Sequence, residues 1–350
     1  MIEDMAFQRV AVVILNWNGK SFLEKFLPSV IASKPQWANI VIADNASTDG
    51  SVSFLRSKYP ELELVLLKEN LGYAGGYNAA LKFIEASYYV LLNSDIEVGQ
   101  GWIEPVIEYL EAHSEVAAAQ PKILSWNQPS MFEYAGASGG FIDLLAYPFC
   151  RGRIFQTLET DFGQYNNPVN VFWATGACLF VRAKAFWEAG GFDERFFAHM
   201  EEIDLCWRLQ NLGFKIAVVP HSKVFHVGGG TLPKSSPFKT FLNFRNSLWL
   251  LAKNMPARYF LILLPLRLFL DTLAALVFLA GGNKGDALAV FKAHLAFQKS
   301  FGYLCKQSKG VSKKIHPGMY KGSIVFAHFL MQKKYFSDLI FGRRSEKQKN

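Results

Sequence analysis

One stretch decides the fold of this chain: Tyr88-Tyr89-Val90-Leu91-Leu92-Asn93-Ser94-Asp95. Its first five residues are apolar and carry no charge, which predicts a strand buried on both faces of a parallel sheet. The polar residues that follow would then lie at the carboxyl end of the strand, where open α/β sheets bind their ligands. A plain turn is the alternative, because Asn, Ser and Asp are common turn residues. The neighbouring segments distinguish the two.

Three apolar runs of strand length precede this stretch and alternate with segments of helical spacing. The runs are Val10-Ala11-Val12-Val13-Ile14-Leu15, Ile40-Val41-Ile42-Ala43 and Leu64-Val65-Leu66-Leu67. After the first run, Ser21 and Glu24 match a capping box and predict that a helix begins at Ser21. The βαβαβαβ alternation predicts a nucleotide-binding half-sheet in residues 1–100.

Two phosphate-binding motifs are excluded at the first strand. Gly19-Lys20-Ser21 matches the end of a P-loop, but Ile14 stands where that loop needs its first glycine. No G-x-G-x-x-G pattern follows the strand, which argues against a dinucleotide-binding Rossmann enzyme. Any nucleotide site in this half-sheet is therefore of a different kind.

Polar segments follow the second and third strands as well. The first is Asp44-Asn45-Ala46-Ser47-Thr48-Asp49-Gly50, and the second is Asn70-Leu71-Gly72-Tyr73-Ala74-Gly75-Gly76-Tyr77-Asn78. Residues 47–49 can be explained as caps of the next helix, but Asp44 comes too early for that role. The glycines of the second segment allow a ligand to approach the backbone closely, or else form only a tight turn.

Residues 101–240 carry the candidate catalytic groups. A loop-rich segment, residues 124–168, is long enough to suggest a function, and we expect it to line an acceptor site. Glu201 and Glu202 fall in the first turn of a predicted helix, where carboxylates often only complement the helix dipole. As an adjacent pair they can also repel each other, which raises one pKa towards the range of a general base. We expect His226 in a loop that follows the strand at residues 214–219.

The composition favours a membrane surface as the anionic partner of this basic chain. The 350 residues are 51% hydrophobic and carry a net charge of +8. Basic clusters concentrate after residue 306 beside aromatic and apolar residues, which predicts contact with acidic lipids and no nucleic-acid binding. The four cysteines lack metal-site spacing and are expected to be reduced thiols. No secretory signal is expected in residues 1–9.

A long apolar stretch occupies residues 259–280. Its fourteen Leu, Ile, Val and Phe residues contribute about −6 kcal/mol to membrane insertion, whereas Arg267 and Asp271 cost about 5 to 7 kcal/mol. One helical turn separates these two charges, so an ion pair between them would lower the cost. The balance favours helices that lie in or dip into one membrane leaflet over a clean span, with a buried core hairpin as the alternative.

Taken in order, four parts of the chain resemble the inverting glycosyltransferases of family 2, particularly the rhamnosyltransferase-like members of bacterial surface-polysaccharide pathways. They are Val13-Ile14-Leu15-Asn16-Trp17-Asn18, the segment that begins at Asp44, Leu91-Leu92-Asn93-Ser94-Asp95, and residues 196–209 running on to His226-Val227-Gly228-Gly229-Gly230-Thr231. The resemblance covers about residues 9–250. It implies a Rossmann-like nucleotide-sugar-binding α/β domain of the A-type glycosyltransferase fold, with a mostly parallel central sheet.

The resemblance also implies roles for individual side chains. Asp95 would bind a divalent cation, Mn²⁺ or Mg²⁺, on the donor diphosphate, with His226 as a further ligand. Glu202 would be the catalytic base, with Glu201 as the second choice. The implied nucleotide-binding residues are Asn16, Asp44, Asn70, Gly72, Asn78 and Ser94, of which Asp44 would contact the base. Two positions depart from the family pattern, because Asn93 and the glutamate at the base position stand where many relatives have Asp.

These observations predict a peripheral enzyme on the cytoplasmic face of the inner cell membrane. Residues 1–240 would form the catalytic domain, with a nucleotide-binding half (1–100) and an acceptor and catalytic half (101–240). Residues 241–350 would form a helical, membrane-associating region. The enzyme would move a sugar, with dTDP-rhamnose as the expected donor, to a lipid-linked or glycan acceptor in cell-surface polysaccharide synthesis. The alternative is a non-catalytic membrane-associated scaffold that retains the fold, and the oligomeric state is not predicted.

Overall fold

The computed structural model describes residues 10–228, 236–307, 314–316 and 318–339. Up to residue 93, strands and helices alternate as the sequence predicts. They are β1 (Val10–Asn16), α1 (Lys20–Ser33), β2 (Ala38–Asp44), α2 (Ser51–Lys58), β3 (Glu63–Leu66), α3 (Gly72–Leu81) and β4 (Tyr88–Asn93). β1 pairs in parallel with both β2 and β4, and β2 pairs in parallel with β3. The predicted parallel half-sheet is therefore confirmed.

Helix α1 begins one residue earlier than predicted and without the predicted capping box. Its N-cap is Gly19, and no side chain of the helix caps it. The Lys20 N–H instead donates to the Asp49 carboxylate at 2.8 Å. The capping-box prediction was wrong because a side chain from the loop after β2 satisfies this helix end, and no local pattern reports such a contact.

The second half of the sheet is built from strands of both directions. The elements are β5 (Ile96–Val98), α4 (Glu104–Ala112), β6 (Val116–Ser125), β7 (Gly140–Asp143), β8 (Pro148–Cys150), β9 (Arg153–Ile154), β10 (Thr157–Leu158), β11 (Val169–Val171), β12 (Cys178–Arg182), α5 (Ala183–Glu188), α6 (Glu201–Asn211) and β13 (Lys215–His226). β12 runs antiparallel to both β4 and β6, whereas β13 is parallel to β6 and antiparallel to β5 and β11. The sheet order is β11-β13-β6-β12-β4-β1-β2-β3, so the central sheet as a whole is mixed.

Residues 124–168 are more regular than the expected loop. They contain four short strands, β7 to β10, which belong to a second sheet. These strands are two to four residues long, which is too short to show an alternating pattern in the sequence. The prediction of a largely irregular segment is corrected accordingly.

Three long helices follow the sheet. They are α7 (Pro237–Asn254), α8 (Ala257–Ala280) and α9 (Lys284–Gln307), and they are followed by β14 (Met319–Tyr320) and α10 (Ile324–Phe329). α7 and α8 both pack along α9, and β14 pairs in parallel with β7 in the second sheet. The expected domain boundary between residues 240 and 241 falls inside α7.

Among the described helices, α8 is the one long and apolar enough to cross a membrane, by length and composition. The two charged residues in the middle of this helix, Arg267 and Asp271, are buried against the rest of the protein, whereas Arg258 in its first turn is exposed. Arg267 donates to Asp271 at 2.8 Å and to the Leu145 carbonyl at 2.7 Å, and the Tyr147 hydroxyl donates to Asp271 at 2.8 Å. The opposite face of α8 exposes large apolar side chains, including Leu261, Ile262, Phe269, Leu276 and Val277. In the fold, the helix therefore has a buried face, which carries the charged pair, and an exposed apolar face, although apolar residues occur all around it in the sequence.

Candidate functional site

A cleft of about 1310 Å³ opens where the central parallel strands end. It is lined by residues that directly follow β1 and β4, by the start of α6 and by the start of α7. Asn16 at the end of β1 is in register with Asp44 at the end of β2, and the preceding Leu15 is in register with Asn93 of β4. The cleft thus occupies the place where α/β sheets of this kind bind ligands.

Asn16 and Asp44 end β1 and β2, directly beside the cleft-lining residues Leu15 and Asn45 in the sequence, and are both buried. The Asn16 amide donates to the Asp44 carboxylate at 2.9 Å and to the Ser47 hydroxyl at 3.0 Å. The Ser47 N–H donates to the other Asp44 oxygen at 2.9 Å. The pair therefore fixes the polar segment after β2, and neither residue is among those that line the cleft.

Asn45 connects the loops that follow β2 and β3. Its side-chain amide donates to the Asn70 side chain and to the Gly72 carbonyl, each at 3.0 Å, and its oxygen accepts the Leu71 N–H at 3.0 Å. Asn70, Gly72 and Ser94 line the cleft, so three of the six predicted nucleotide-binding residues reach its surface. Asn45, which was not among the six, lines the cleft as well.

Asn78 lies elsewhere. Its side chain donates to the Phe192 carbonyl at 2.8 Å and accepts the Phe192 N–H at 2.9 Å. Asn78 is buried and does not line the cleft. These bonds fix α3 to the turn that precedes residues 194–200.

Asp95 and His226 are brought together as predicted. Asp95 Oδ1 lies 3.1 Å from His226 Nε2, and Glu133 Oε2 lies 3.1 Å from His226 Nδ1. All three side chains are buried and line the cleft. Burial alone would lower the pKa of His226, but the two carboxylates outweigh it and raise that pKa to about 10. Burial alone would raise the pKa of Asp95, but its interaction with His226 holds that pKa below its ordinary value.

His226 is the last residue of β13, whereas the sequence placed it in a loop. The register of β13 against β6 shifts between Val219 and Lys223, so an irregularity at Pro220 interrupts the ladder and the strand then resumes. The loop prediction was wrong because a proline inside a strand pattern usually ends the strand. The continued strand brings His226 opposite Ile96, the residue after Asp95.

The donor set at this position fits a divalent cation that also binds a diphosphate. Two ligands in neighbouring positions of an octahedron with bonds of about 2.1 Å lie about 3 Å apart, which matches the Asp95 to His226 separation. Within the described residues, no group of three or more His, Cys, Asp or Glu side chains could hold an ion by itself. The remaining ligands would therefore be diphosphate oxygens and water, and His226 would bind as the neutral imidazole.

Glu201 and Glu202 begin α6 and line the same cleft. One carboxylate oxygen of each, Oε2, is buried and has no hydrogen-bond partner among the described residues. Burial raises the pKa of both groups, and their mutual repulsion raises that of Glu201 further. The pKa of Glu202 is raised to about 7, the range in which a carboxylate serves as a general base at neutral pH.

The segment before this pair has an unusual backbone. Phe197, His199 and Met200 all have positive φ angles, between 66° and 73°. Such conformations cost on the order of 1 to 3 kcal/mol each for side chains other than glycine. Asn246 of α7 holds the segment, because its amide donates to the carbonyls of Phe196, Ala198 and His199 at 3.2, 3.0 and 2.7 Å.

A family model of glycosyl transferase family 2 matches residues 11–189, about half of the chain. The chain belongs to glycosyl transferase family 2. Membership confirms the resemblance inferred from the ordered motifs, and it identifies the protein as a glycosyltransferase. The matched region contains Asp95, but it ends before the glutamate pair and His226.

Curated members of glycosyl transferase family 2 share the sequence over a longer region. The N-acetylglucosaminyl-diphospho-decaprenol L-rhamnosyltransferase of Mycobacterium tuberculosis is 28% identical over 229 residues, which cover 61% of this chain and 75% of that protein. The pre-mycofactocin glycosyltransferase of the same organism is 24% identical over 62% of this chain and 42% of its own length. The family 2 protein described here is therefore similar to a rhamnosyltransferase.

Two solved structures share the fold of this family 2 protein. GalNAc-T7 with UDP, GalNAc and Mn²⁺ aligns with a TM-score of 0.56 at 17% identity, over 72% of this chain and about half (49%) of its own. The mannosyltransferase PcManGT of Pyrobaculum calidifontis, in complex with GDP-Man and Mn²⁺, aligns with a TM-score of 0.51 at 17% identity, over 86% of this chain and 84% of its own. The likeness confirms the A-type glycosyltransferase fold.

Sequence reasoning missed three residues that shape the site of this family 2 protein. Asn45 follows Asp44 directly, and its position at a strand end was a signal that could have found it. Glu133 lies in the segment expected to line the acceptor site, but no local pattern singles it out. Asn246 lies inside an ordinary helical pattern, and its partners are 47 to 50 residues away.

Proposed function

We propose that this protein is an inverting, divalent-cation-assisted glycosyltransferase that moves rhamnose from dTDP-rhamnose to a lipid-linked acceptor. One observation carries the proposal. A single cleft at the carboxyl ends of the parallel strands contains both the Asp95–His226 pair and a glutamate pair whose Oε2 atoms have no hydrogen-bond partner among the described residues. These are the groups that a one-step transfer needs, because it requires a base and a counter-charge for the leaving group.

Glu202 is the proposed base. Its carboxylate takes the proton of the acceptor hydroxyl while that oxygen bonds to the anomeric carbon of the donor sugar. The bond from that carbon to the diphosphate oxygen breaks, and its electron pair leaves with the nucleoside diphosphate. A bound Mn²⁺ or Mg²⁺ would neutralise charge on the diphosphate. Because the attacking oxygen approaches opposite the leaving group, the anomeric configuration inverts and no covalent enzyme intermediate forms.

The nucleotide end of the cleft is proposed to lie near Asn45, Asn70 and Gly72. These residues line the cleft and are joined by hydrogen bonds, so they offer a pre-formed polar wall. Asn16 and Asp44 support this wall from below through the segment at Ser47. The rhamnose donor and the lipid-linked acceptor are supported by the similarity to the mycobacterial N-acetylglucosaminyl-diphospho-decaprenol L-rhamnosyltransferase.

The proposed location is the cytoplasmic face of the cell membrane. The exposed apolar face of α8 supports the membrane contact in this proposal, since an exposed apolar surface of this kind is typical of a membrane or protein contact. The inward ion pair of Arg267 and Asp271 supports a helix that lies along the surface, because a spanning helix would have to leave those partners.

The test is a donor screen followed by product analysis. Purified protein is incubated with Mn²⁺ and dTDP-rhamnose, UDP-sugars or GDP-mannose in the presence of N-acetylglucosaminyl-diphospho-decaprenol. We expect release of dTDP and a rhamnosyl product whose anomeric configuration, measured by NMR, is inverted. Retention of configuration would contradict the mechanism. Absence of metal-dependent hydrolysis or transfer with every nucleotide sugar would instead support a non-catalytic scaffold.

A further inference from the structure

The end of the cleft formed by the C-terminal helices has a composition of its own. It is lined by Phe238, Lys239, Thr240, Phe278, Asn283 and Asp286, which come from the start of α7, the end of α8 and the start of α9. The Thr240 hydroxyl donates to Asp286 at 2.6 Å and so ties α7 to α9. This end of the cleft is a built surface, because three helices converge on it.

Lys239 supplies the positive charge of this end. It is the sole lysine or arginine among the described residues that line the cleft. His199, two residues before Glu201, lines the cleft as well, and its Nε2 is buried without a partner among the described residues. Burial and the charge of Lys239 together lower the pKa of His199 to about 4, so this imidazole is neutral at physiological pH. A cation and a neutral polar group therefore lie near the proposed base.

Aromatic side chains continue from this point towards the outside of the protein. Phe197, in the segment before the glutamate pair, is 38% exposed. Its ring centroid lies 6.4 Å from that of Phe238, which is 49% exposed. Phe278 of α8 also lines the cleft, and its ring centroid lies 6.5 Å from that of Phe244. The end of the cleft that contains Lys239 is therefore also lined by apolar side chains from α7 and α8, which a soluble sugar acceptor does not need.

These apolar side chains are continuous with the exposed face of α8. Val277 and Leu279 flank Phe278 in the sequence and are 70% and 45% exposed. Leu276, Leu273 and Phe269 extend the exposed apolar surface back along the helix. A molecule that leaves the cleft past Phe278 thus passes directly onto the surface that is proposed to rest on the membrane.

We propose that this end of the cleft binds the diphosphate of a lipid-linked acceptor through Lys239, and that the lipid chain leaves past Phe238 and Phe278 to remain in the membrane beneath α8. The inference rests on the proposed function and adds the place where the acceptor binds. Its occupant is a lipid diphosphate, because Lys239 lies at the same end as apolar side chains of α7 and α8, and a cation beside an apolar surface matches an anionic head joined to an apolar chain. The Asp286 carboxylate at this end already accepts the hydrogen bond of the Thr240 hydroxyl. The chain would keep its favourable burial because it would stay in the bilayer.

The proposal has two parts, the binding of the diphosphate by Lys239 and the path of the lipid chain along α8. Two diphosphates with different lipid chains test these parts separately. The nucleotide end is first saturated with Mn²⁺ and the nucleoside diphosphate among dTDP, UDP and GDP that gives the largest thermal shift. Octyl diphosphate is then titrated in solution, and decaprenyl diphosphate is titrated in phosphatidylcholine vesicles. The variants are Lys239→Gln and Val277→Asp. Their matched controls are Lys292→Gln, an exposed lysine of α9, and Phe83→Asp, an exposed apolar residue of the nucleotide-binding half.

We expect Lys239→Gln to weaken the binding of octyl diphosphate about tenfold, the loss of one charge-assisted hydrogen bond, whereas Lys292→Gln has no effect. Val277→Asp should lower the affinity for vesicle-bound decaprenyl diphosphate relative to octyl diphosphate by tenfold or more, whereas Phe83→Asp leaves this ratio unchanged. An unchanged affinity in Lys239→Gln, or an unchanged ratio in Val277→Asp, would overturn the inference.

Two further outcomes are informative. If Val277→Asp converts a dimer to a monomer in light scattering without changing the ratio, the apolar face binds a second copy and the lipid route is overturned. If the wild-type protein binds none of the nucleoside diphosphates with Mn²⁺, the proposed function fails and this inference fails with it. Nucleotide binding together with unaffected variants overturns the inference alone.

Discussion

The side-chain amide of Asn246 donates a hydrogen bond of 2.7 Å to the carbonyl of His199, two residues before the glutamate pair. The same amide also binds the carbonyls of Phe196 and Ala198, and Asn246 is fully buried. The side-chain oxygen of Asn246 accepts a hydrogen bond from Arg245, and Arg245 also donates a hydrogen bond to the Phe196 carbonyl. A helix outside the region matched by the family model therefore fixes the backbone that presents the proposed base.

Replacing Asn246 should impair catalysis more than nucleotide binding. Asn246→Ala removes the donors that hold three carbonyls of a segment with unfavourable φ angles, so Glu202 should lose its fixed position. We expect kcat to fall tenfold or more, while the affinity for dTDP and Mn²⁺ stays within about twofold. Kinetics and calorimetry with the same preparation measure both. Equal losses in kcat and nucleotide affinity would indicate general unfolding instead.

The pH dependence of transfer should report the ionisation of Glu202. Burial raises its pKa to about 7, and the group acts as a base only when deprotonated, so kcat should rise as the pH increases through 7 and level off above it. Glu202→Gln should abolish transfer and leave nucleotide binding intact. The matched variant is Glu201→Gln. If that variant alone abolishes transfer, the base is Glu201.

Asp204 should govern the acid stability of α6. This buried carboxylate accepts hydrogen bonds from Lys253 and Asn254 of α7, each at 2.9 Å, and from Arg208 at 2.7 Å. Although burial opposes ionisation, these partners lower its pKa from 3.8 to about 2. Its contribution to the free energy of unfolding is therefore complete above pH 3.8 and is lost as the pH falls towards 2.

Asp204→Asn leaves the Lys253 charge without one of its two buried carboxylate partners and should lower the free energy of unfolding at pH 7 by about 3 to 5 kcal/mol. Urea denaturation measures this change. Glu115→Gln is the control, because it breaks an exposed pair with Lys215 and should leave the midpoint unchanged. Similar midpoints for both variants would show that the network does not stabilise the protein.

The sequence predicted those parts of the site that follow local patterns. β4 is an uninterrupted apolar run, so its end and the position of Asp95 could be located without a structure. The glutamate pair could be placed at a helix start for the same reason. These predictions succeeded because the spacing of apolar residues along a strand or helix follows which side chains are buried, and this spacing can be read from the sequence.

The contacts that complete the site could not be predicted, because they join distant segments. Glu133 approaches His226 across 93 positions, and only the folded β6 and β13 bring them together. Asn78 shows a different limit, because the family resemblance implied a nucleotide contact for it without revealing its partners in the fold. In the fold, that side chain satisfies the backbone of Phe192, and no sequence pattern distinguishes the two uses.

The central claim is that Asp95 binds a divalent cation which the transfer requires. The most direct measurement is dTDP release from dTDP-rhamnose, with Mn²⁺ titrated into metal-free protein, for the wild type, Asp95→Asn and the control Asp49→Asn, an exposed residue of the β2 loop. We predict saturable Mn²⁺ dependence in the wild type and in the control, and a loss of at least a hundredfold in Asp95→Asn at every Mn²⁺ concentration. Full turnover in excess EDTA, or a Mn²⁺ titration of Asp95→Asn that overlays the wild type, would contradict the account.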